Sequence, residues 1–95
     1  MKVQLKNYVL VSLPYPQQGT ALYDALKVDF AAGNRIDIDM TDVTALPSMF
    51  LNASFGRAIE QYGLENIRKL LVFHNITRLQ SERLSEYFNR FNRGN

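Results

Sequence analysis

Through Ile36-Asp37-Ile38-Asp39-Met40 the apolar positions alternate with carboxylates. A period of two puts Ile36, Ile38 and Met40 on one face of a strand and Asp37 and Asp39 on the other, so the strand belongs to a sheet covered on one side and wetted on the other. After it come a loop carrying Thr44, Pro47 and Ser48 and a helix whose first turn begins at Ser48. Pro47 turns Leu46 away from helical dihedrals, and a serine at a helix start can accept from a free backbone amide. In that helix Leu51, Phe55, Ala58, Ile59 and Tyr62 form an apolar stripe, and Gly63 stops it.

The flanking segments carry their own periods. Met1 to Ser12 reads as extended structure, either two short strands joined at Lys6-Asn7 or a single long one. Pro14 and Pro16 end strand pairing there, since neither has an N–H to donate. Gln17 to Ala32 reads as a helix with Leu22, Leu26 and Phe30 inward, Ala21, Ala25 and Ala32 packed on the sheet, and Gly33-Asn34 as a left-handed cap. Ile67 to Phe73 reads as a strand buried on both faces, a pattern that periodicity does not separate from helix. Thr77 and Gln80 match a capping box before a last helix. That helix sets Leu84, Tyr87, Phe88 and Phe91 inward with Leu79 at the border, and Arg93, Gly94 and Asn95 form a frayed tail. Alternating strands and helices in a chain this short predict an α/β domain over residues 1–95. Its small four-stranded sheet is mixed but mostly parallel, with helices on one face.

Composition narrows the function classes. Hydrophobic residues at 46% and charged residues at 21% suit a folded soluble chain. The absence of cysteine removes disulfides and thiolate chemistry and fits a reducing, cytoplasmic setting. No apolar run approaches the roughly 18–20 residues of a membrane span. A net charge of +2 does not by itself call for nucleic acid.

Residues 39–51, Asp39-Met40-Thr41-Asp42-Val43-Thr44-Ala45-Leu46-Pro47-Ser48-Met49-Phe50-Leu51, resemble the signature of STAS domains, the sulfate-transporter and anti-sigma-factor-antagonist superfamily. They are closest to its STAS-like family of unknown function, in which a strand ends in Asp, a Ser-Ser-Phe-like helix start follows, and a Phe-Gly comes later. Here these are Asp39, Ser48-Met49-Phe50 and Phe55-Gly56, and the resemblance runs over about residues 20–91. It implies a regulatory, non-catalytic domain that docks a protein partner. In phospho-regulated members that partner is a GHKL-type ATPase kinase, which phosphorylates a serine aligned with Ser48. This chain departs from that pattern at Pro47, Met49 and Phe50.

The residues expected to meet a partner are Thr44, Pro47, Ser48, Met49 and Asn52, with Ser48 as the phosphosite and, in its plainer role, a helix N-cap. Met49 suits an adaptable docking patch, unless it tucks into the core. Asp37, Asp39 and Asp42 are read as a solvated strand face and loop rather than a Mg2+ site, so no metal and no cofactor is expected. His74, the one histidine, is read as a strand-end residue, because no Gly-x-Ser-x-Gly elbow supports a hydrolase triad with Ser48 and Asp42. The alternative function is a nucleic-acid-associated accessory domain using Arg83, Arg90 and Arg93. Glu82 and Glu86 interrupt that field, and the aromatics nearby are needed for the core. A homodimer joined through the first strand's edge or the open sheet face is a third reading.

Overall fold

The computed structural model describes residues 1–9 and 14–93. Strand β1 (Lys2–Gln4) passes through a 3-10 turn (Leu5–Asn7), and helix α1 (Tyr15–Ala32) then precedes strand β2 (Ile36–Asp39). The loop after β2 enters helix α2 (Ser48–Leu51), which runs without a break through a π-helical segment (Asn52–Gly56) into α3 (Arg57–Tyr62). Helix α4 (Leu64–Leu70), strand β3 (Leu71–His74) and helix α5 (Arg78–Arg93) complete the order. Among the described residues no helix is long and apolar enough to cross a membrane.

β2 lies between β1 and β3 and is parallel to both. Val3 is level with Ile38, and Ile36 and Ile38 with Leu71 and Phe73. Level residues of parallel strands point the same way, so these five side chains share one face. Ile36, Ile38 and Met40 are buried there with Leu22, Leu26, Phe30, Phe50, Phe55 and Ile67 from the helices. Both crossovers step in the same direction across the sheet, and right-handed connections then leave their helices on one side.

The expected four-stranded mixed sheet is corrected to three strands, all parallel, among the described residues. The reason lies in residues 1–9. Leu5-Lys6-Asn7 winds into a 3-10 turn, with the amides of Tyr8 and Val9 both donating to the Leu5 carbonyl at 2.9 and 3.2 Å. Leu5 is thereby buried completely, so the chain coils at Lys6-Asn7 instead of reversing into a hairpin. The remainder of the expected extended stretch, up to Ser12, lies with residue 13 and the tail residues Gly94 and Asn95 outside the described residues.

Other boundaries move less. Ile67 to Leu70 belong to α4, and the third strand starts only at Leu71. α1 starts two residues earlier than Gln17, with Pro14 at its N-cap and Pro16 in the first turn, where missing amides cost no hydrogen bond. Ala21 and Ala32 are exposed, and the close approach falls to Gly19 instead. A Cβ on Gly19 would stand 2.5 Å from the Phe50 carbonyl oxygen, so a glycine lets α1 lie against α2. Gly33 has φ 74 and its amide donates to Phe30, while Asn34 reaches the Asp29 carbonyl, the left-handed cap the sequence predicts.

Candidate functional site

The loop after β2 is shaped first by Asp39. Its Oδ1 accepts from the Thr41 amide at 2.9 Å, from the Thr41 hydroxyl at 2.6 Å and from Asn75 Nδ2 at 3.1 Å. Those donors, Thr41 foremost, hold the Asp39 carboxyl down at about 2. The Val43 amide then donates to Met40, closing a turn in which Asp42 takes φ 63, a left-handed position that a short carboxamide or carboxylate side chain tolerates. Val43 and Leu46 are buried as anchors, and Thr44 and Ala45 stand exposed between them. The result is a knuckle of residues 44–48 raised between β2 and α2.

Ser48 is not the N-cap. Pro47 holds that position with extended backbone, the Leu51 amide donates to the Pro47 carbonyl, and Ser48 is the first helical residue. Its side chain looks outward and accepts from Arg83 Nη2 at 2.9 Å. Met49 follows, 60% exposed, so it does not tuck into the core, while Phe50 and Leu51 are fully buried behind it. Pro47 is half-buried and Asn52 exposed.

The knuckle is held from across the molecule by one side of α5. Thr77 and Gln80 form the capping box in full, with the Gln80 amide donating to Thr77 Oγ1 at 3.1 Å and the Thr77 amide to Gln80 Oε1 at 3.0 Å. Gln80 Nε2 then donates to the Val43 carbonyl at 2.6 Å. Arg83 Nη2 donates to the Leu46 carbonyl at 3.1 Å as well as to Ser48. One turn further, the Tyr87 hydroxyl donates to Asn52 Oδ1 at 2.8 Å. Burial, with the Glu60 carboxylate as the lesser cause, pushes the Tyr87 phenol up to about 12, so it remains a donor. Spacings of three and four residues align Gln80, Arg83 and Tyr87 on one helix face.

The same face explains Phe55-Gly56. Phe55 is fully buried and meets the rings of Phe73 and Phe88 edge-on, at centroid distances of 6.1 and 6.3 Å. A Cβ on Gly56 would run into the Tyr87 hydroxyl and press on Phe91. The π-helical widening covers these residues, and within it the buried Ser54 hydroxyl donates back to the Phe50 carbonyl at 2.8 Å. Such a back-bond competes for the carbonyl that the regular ladder would use.

Of the residues read as nucleic-acid contacts, Arg83 is half-buried and committed to the knuckle, and the Arg93 side chain lies outside the described part. Arg90 is exposed, and Arg78 pairs with Glu82 at 3.2 Å. Leu79, expected at the border of the apolar stripe, is 78% exposed.

The open sheet face carries a second polar group. Asp37 accepts from Arg35 at 2.8 Å and lies 2.7 Å from His74 Nε2, contacts that lower its carboxyl, His74 first. With Lys2, Gln4, Asp39 and Asn75 these residues line a shallow cavity of about 530 Å3. His74 is thus engaged by Asp37, and Ser48 by Arg83. Asp42 faces Lys6 at 3.6 Å, and among the described residues no three acidic or histidine side chains gather so as to hold a metal ion.

Gln80 and Tyr87 were missed as site residues. Their spacing with Arg83 was visible, but nothing local in the sequence says which loop they would reach. The family model described as a STAS-like domain of unknown function (DUF4325) matches residues 18–79. No curated protein and no solved structure matches the chain.

Proposed function

The chain belongs to that STAS-like family, and on this premise we propose that it is a non-catalytic regulatory domain whose knuckle, Thr44 to Ser48 with Met49 and Asn52, docks a protein partner in the cytoplasm. One observation carries the reading: a loop with exposed tips is fixed at both shoulders by Gln80 and Arg83, and an exposed methionine stands beside it. A preorganised polar loop with a flexible apolar neighbour loses little freedom on binding. The partner class that the family resemblance favours is a GHKL-type ATPase or kinase.

Ser48 is the position for regulation. A phosphate on its Oγ would add about −1.5 to −2 charges next to the Arg83 guanidinium and the first amides of α2. Charge-assisted bonds to Arg83 would keep the knuckle in place while changing what it presents. The test uses the wild-type chain as bait, identifies the captured protein, and titrates it purified against wild-type and Ser48→Asp chains. Affinity should fall at least tenfold for Ser48→Asp with the urea midpoint nearly unchanged. Equal losses in binding and in stability would remove the proposal.

A further inference from the structure

Away from the knuckle, the two edges of the sheet differ in kind. β1 is three residues long, carries Lys2 and runs straight into its 3-10 turn, so it resists adding a strand. β3, Leu71-Val72-Phe73-His74, has no lysine, proline or bulge, and among the described residues it pairs on one side only, with β2. Its His74 carbonyl accepts from the Met40 amide, so His74 faces β2. Backbone groups alternate along a strand, and the amide and carbonyl of Phe73 therefore point to the free edge.

Beside that edge lies a groove of about 220 Å3 between β3 and α5. Its floor is Leu71, Phe73 and Ile76, its far wall Leu84 and Phe88, and Ser81 and Ser85 stand exposed at the rim with Arg68. Apolar floor and unpaired backbone are thus adjacent, the two ingredients of strand addition.

We infer that the β3 edge and its groove bind an extended peptide segment of a partner protein, added as a fourth strand, with alternate apolar side chains in the groove and an acidic residue at Arg68. A second copy of this chain fits less well. Pairing of two four-residue strands covers a strip roughly 13 Å long and about 10 Å deep. That falls far short of the roughly 800 Å2 per partner of a stable dimer. The surface is separate from the knuckle, so this inference stands or falls independently of the proposed function.

The probes are capped eight-residue peptides alternating Thr with Val, Leu or Phe and bearing one Glu, titrated into the isotope-labelled chain. Backbone NMR shifts should concentrate on residues 68–76 and 81–88, and exchange of the Phe73 amide should slow at least tenfold. Binding should vanish for the same peptide N-methylated on its strand-pairing amides and drop at least tenfold for Ser85→Lys. The unfolding midpoint of Ser85→Lys serves as the check that its fold persists. Absence of shifts at millimolar peptide across the set would overturn the inference. So would equal binding by the N-methylated peptide or by a folded Ser85→Lys chain. Protection of the Phe73 amide that grows with protein concentration alone would assign the edge to a second copy and equally overturn it.

Discussion

Tyr87 does two things in one place: its hydroxyl anchors Asn52 and its oxygen occupies the space above Gly56. Gly56→Ala should gain about 0.5–1 kcal/mol from helix propensity. It should lose about 1–3 kcal/mol to overpacking, because the new methyl meets a hydroxyl held by its own hydrogen bond, with the Phe91 ring 3.3 Å away. The net expectation is a loss between about 0 and 2.5 kcal/mol, centred on about 1. Tyr87→Phe deletes one hydrogen bond whose acceptor, on exposed Asn52, can turn to water, for about 1 kcal/mol. Combined, the second change removes the atom that the first collides with, so the double variant should be more stable than the sum of the two losses by about 1 kcal/mol or more. Urea unfolding of the four proteins, followed by circular dichroism, reads this directly. Losses that add to within about 0.5 kcal/mol would refute the account of how the π-helical segment meets α5.

Arg83→Met keeps the stem of the side chain and removes both bonds to the knuckle, at about 1–2 kcal/mol; amide exchange should speed up across residues 44–48, and an unchanged rate there would show that Arg83 does not hold the loop. Thr77→Ala deletes the N-cap of α5 and should cost about 1 kcal/mol, whereas Thr77→Ser should recover most of it. The pH dependence has a fixed sign. Asp39 sits at about 2 in the folded chain against an ordinary value of 3.8, so its contribution is complete above that ordinary value and is lost as pH falls toward about 2. Asp37, lowered by His74 and Arg35, acts in the same direction. Thermal midpoints measured between pH 5 and 2 should fall more steeply for the wild type than for Asp39→Asn, and parallel curves would contradict the assignment (roughly, each kcal/mol is worth 4–8 °C in a chain of this size).

How much of this was legible in the sequence depended on how local its cause is. The capping box at Thr77 and Gln80, the glycine stop at Gly63 and the burial of Ile36, Ile38 and Met40 are decided within a few residues, and each reads correctly. Lys6-Asn7 reads wrongly because a hairpin turn and a 3-10 turn want similar residues, and the burial of Leu5 tips the choice. The α4 to β3 boundary was ambiguous for a related reason: Leu70 and Leu71 are apolar in either conformation, and what separates them is β2 arriving alongside Leu71.

The knuckle's support could not be read at all, and the reason lies in the register of α5. Gln80 reaches Val43, Arg83 reaches Leu46, and Tyr87 reaches Asn52, separations of 37, 37 and 35 residues. A nearly constant offset means that α5 runs alongside the loop and the start of α2 in step, one contact per turn. The short signature around Ser48 therefore encodes a surface whose rigidity is supplied by polar residues near the far end of the chain. A partner docked there as proposed would press on Ser48 or Met49 and also load Arg83, and through it the helix that carries Tyr87 onto Gly56. If a partner docks at the knuckle as proposed, its binding and the packing of the π-helical segment form one mechanical unit, and substitutions at Gly56 or Tyr87 should alter its affinity even though Gly56 is itself buried.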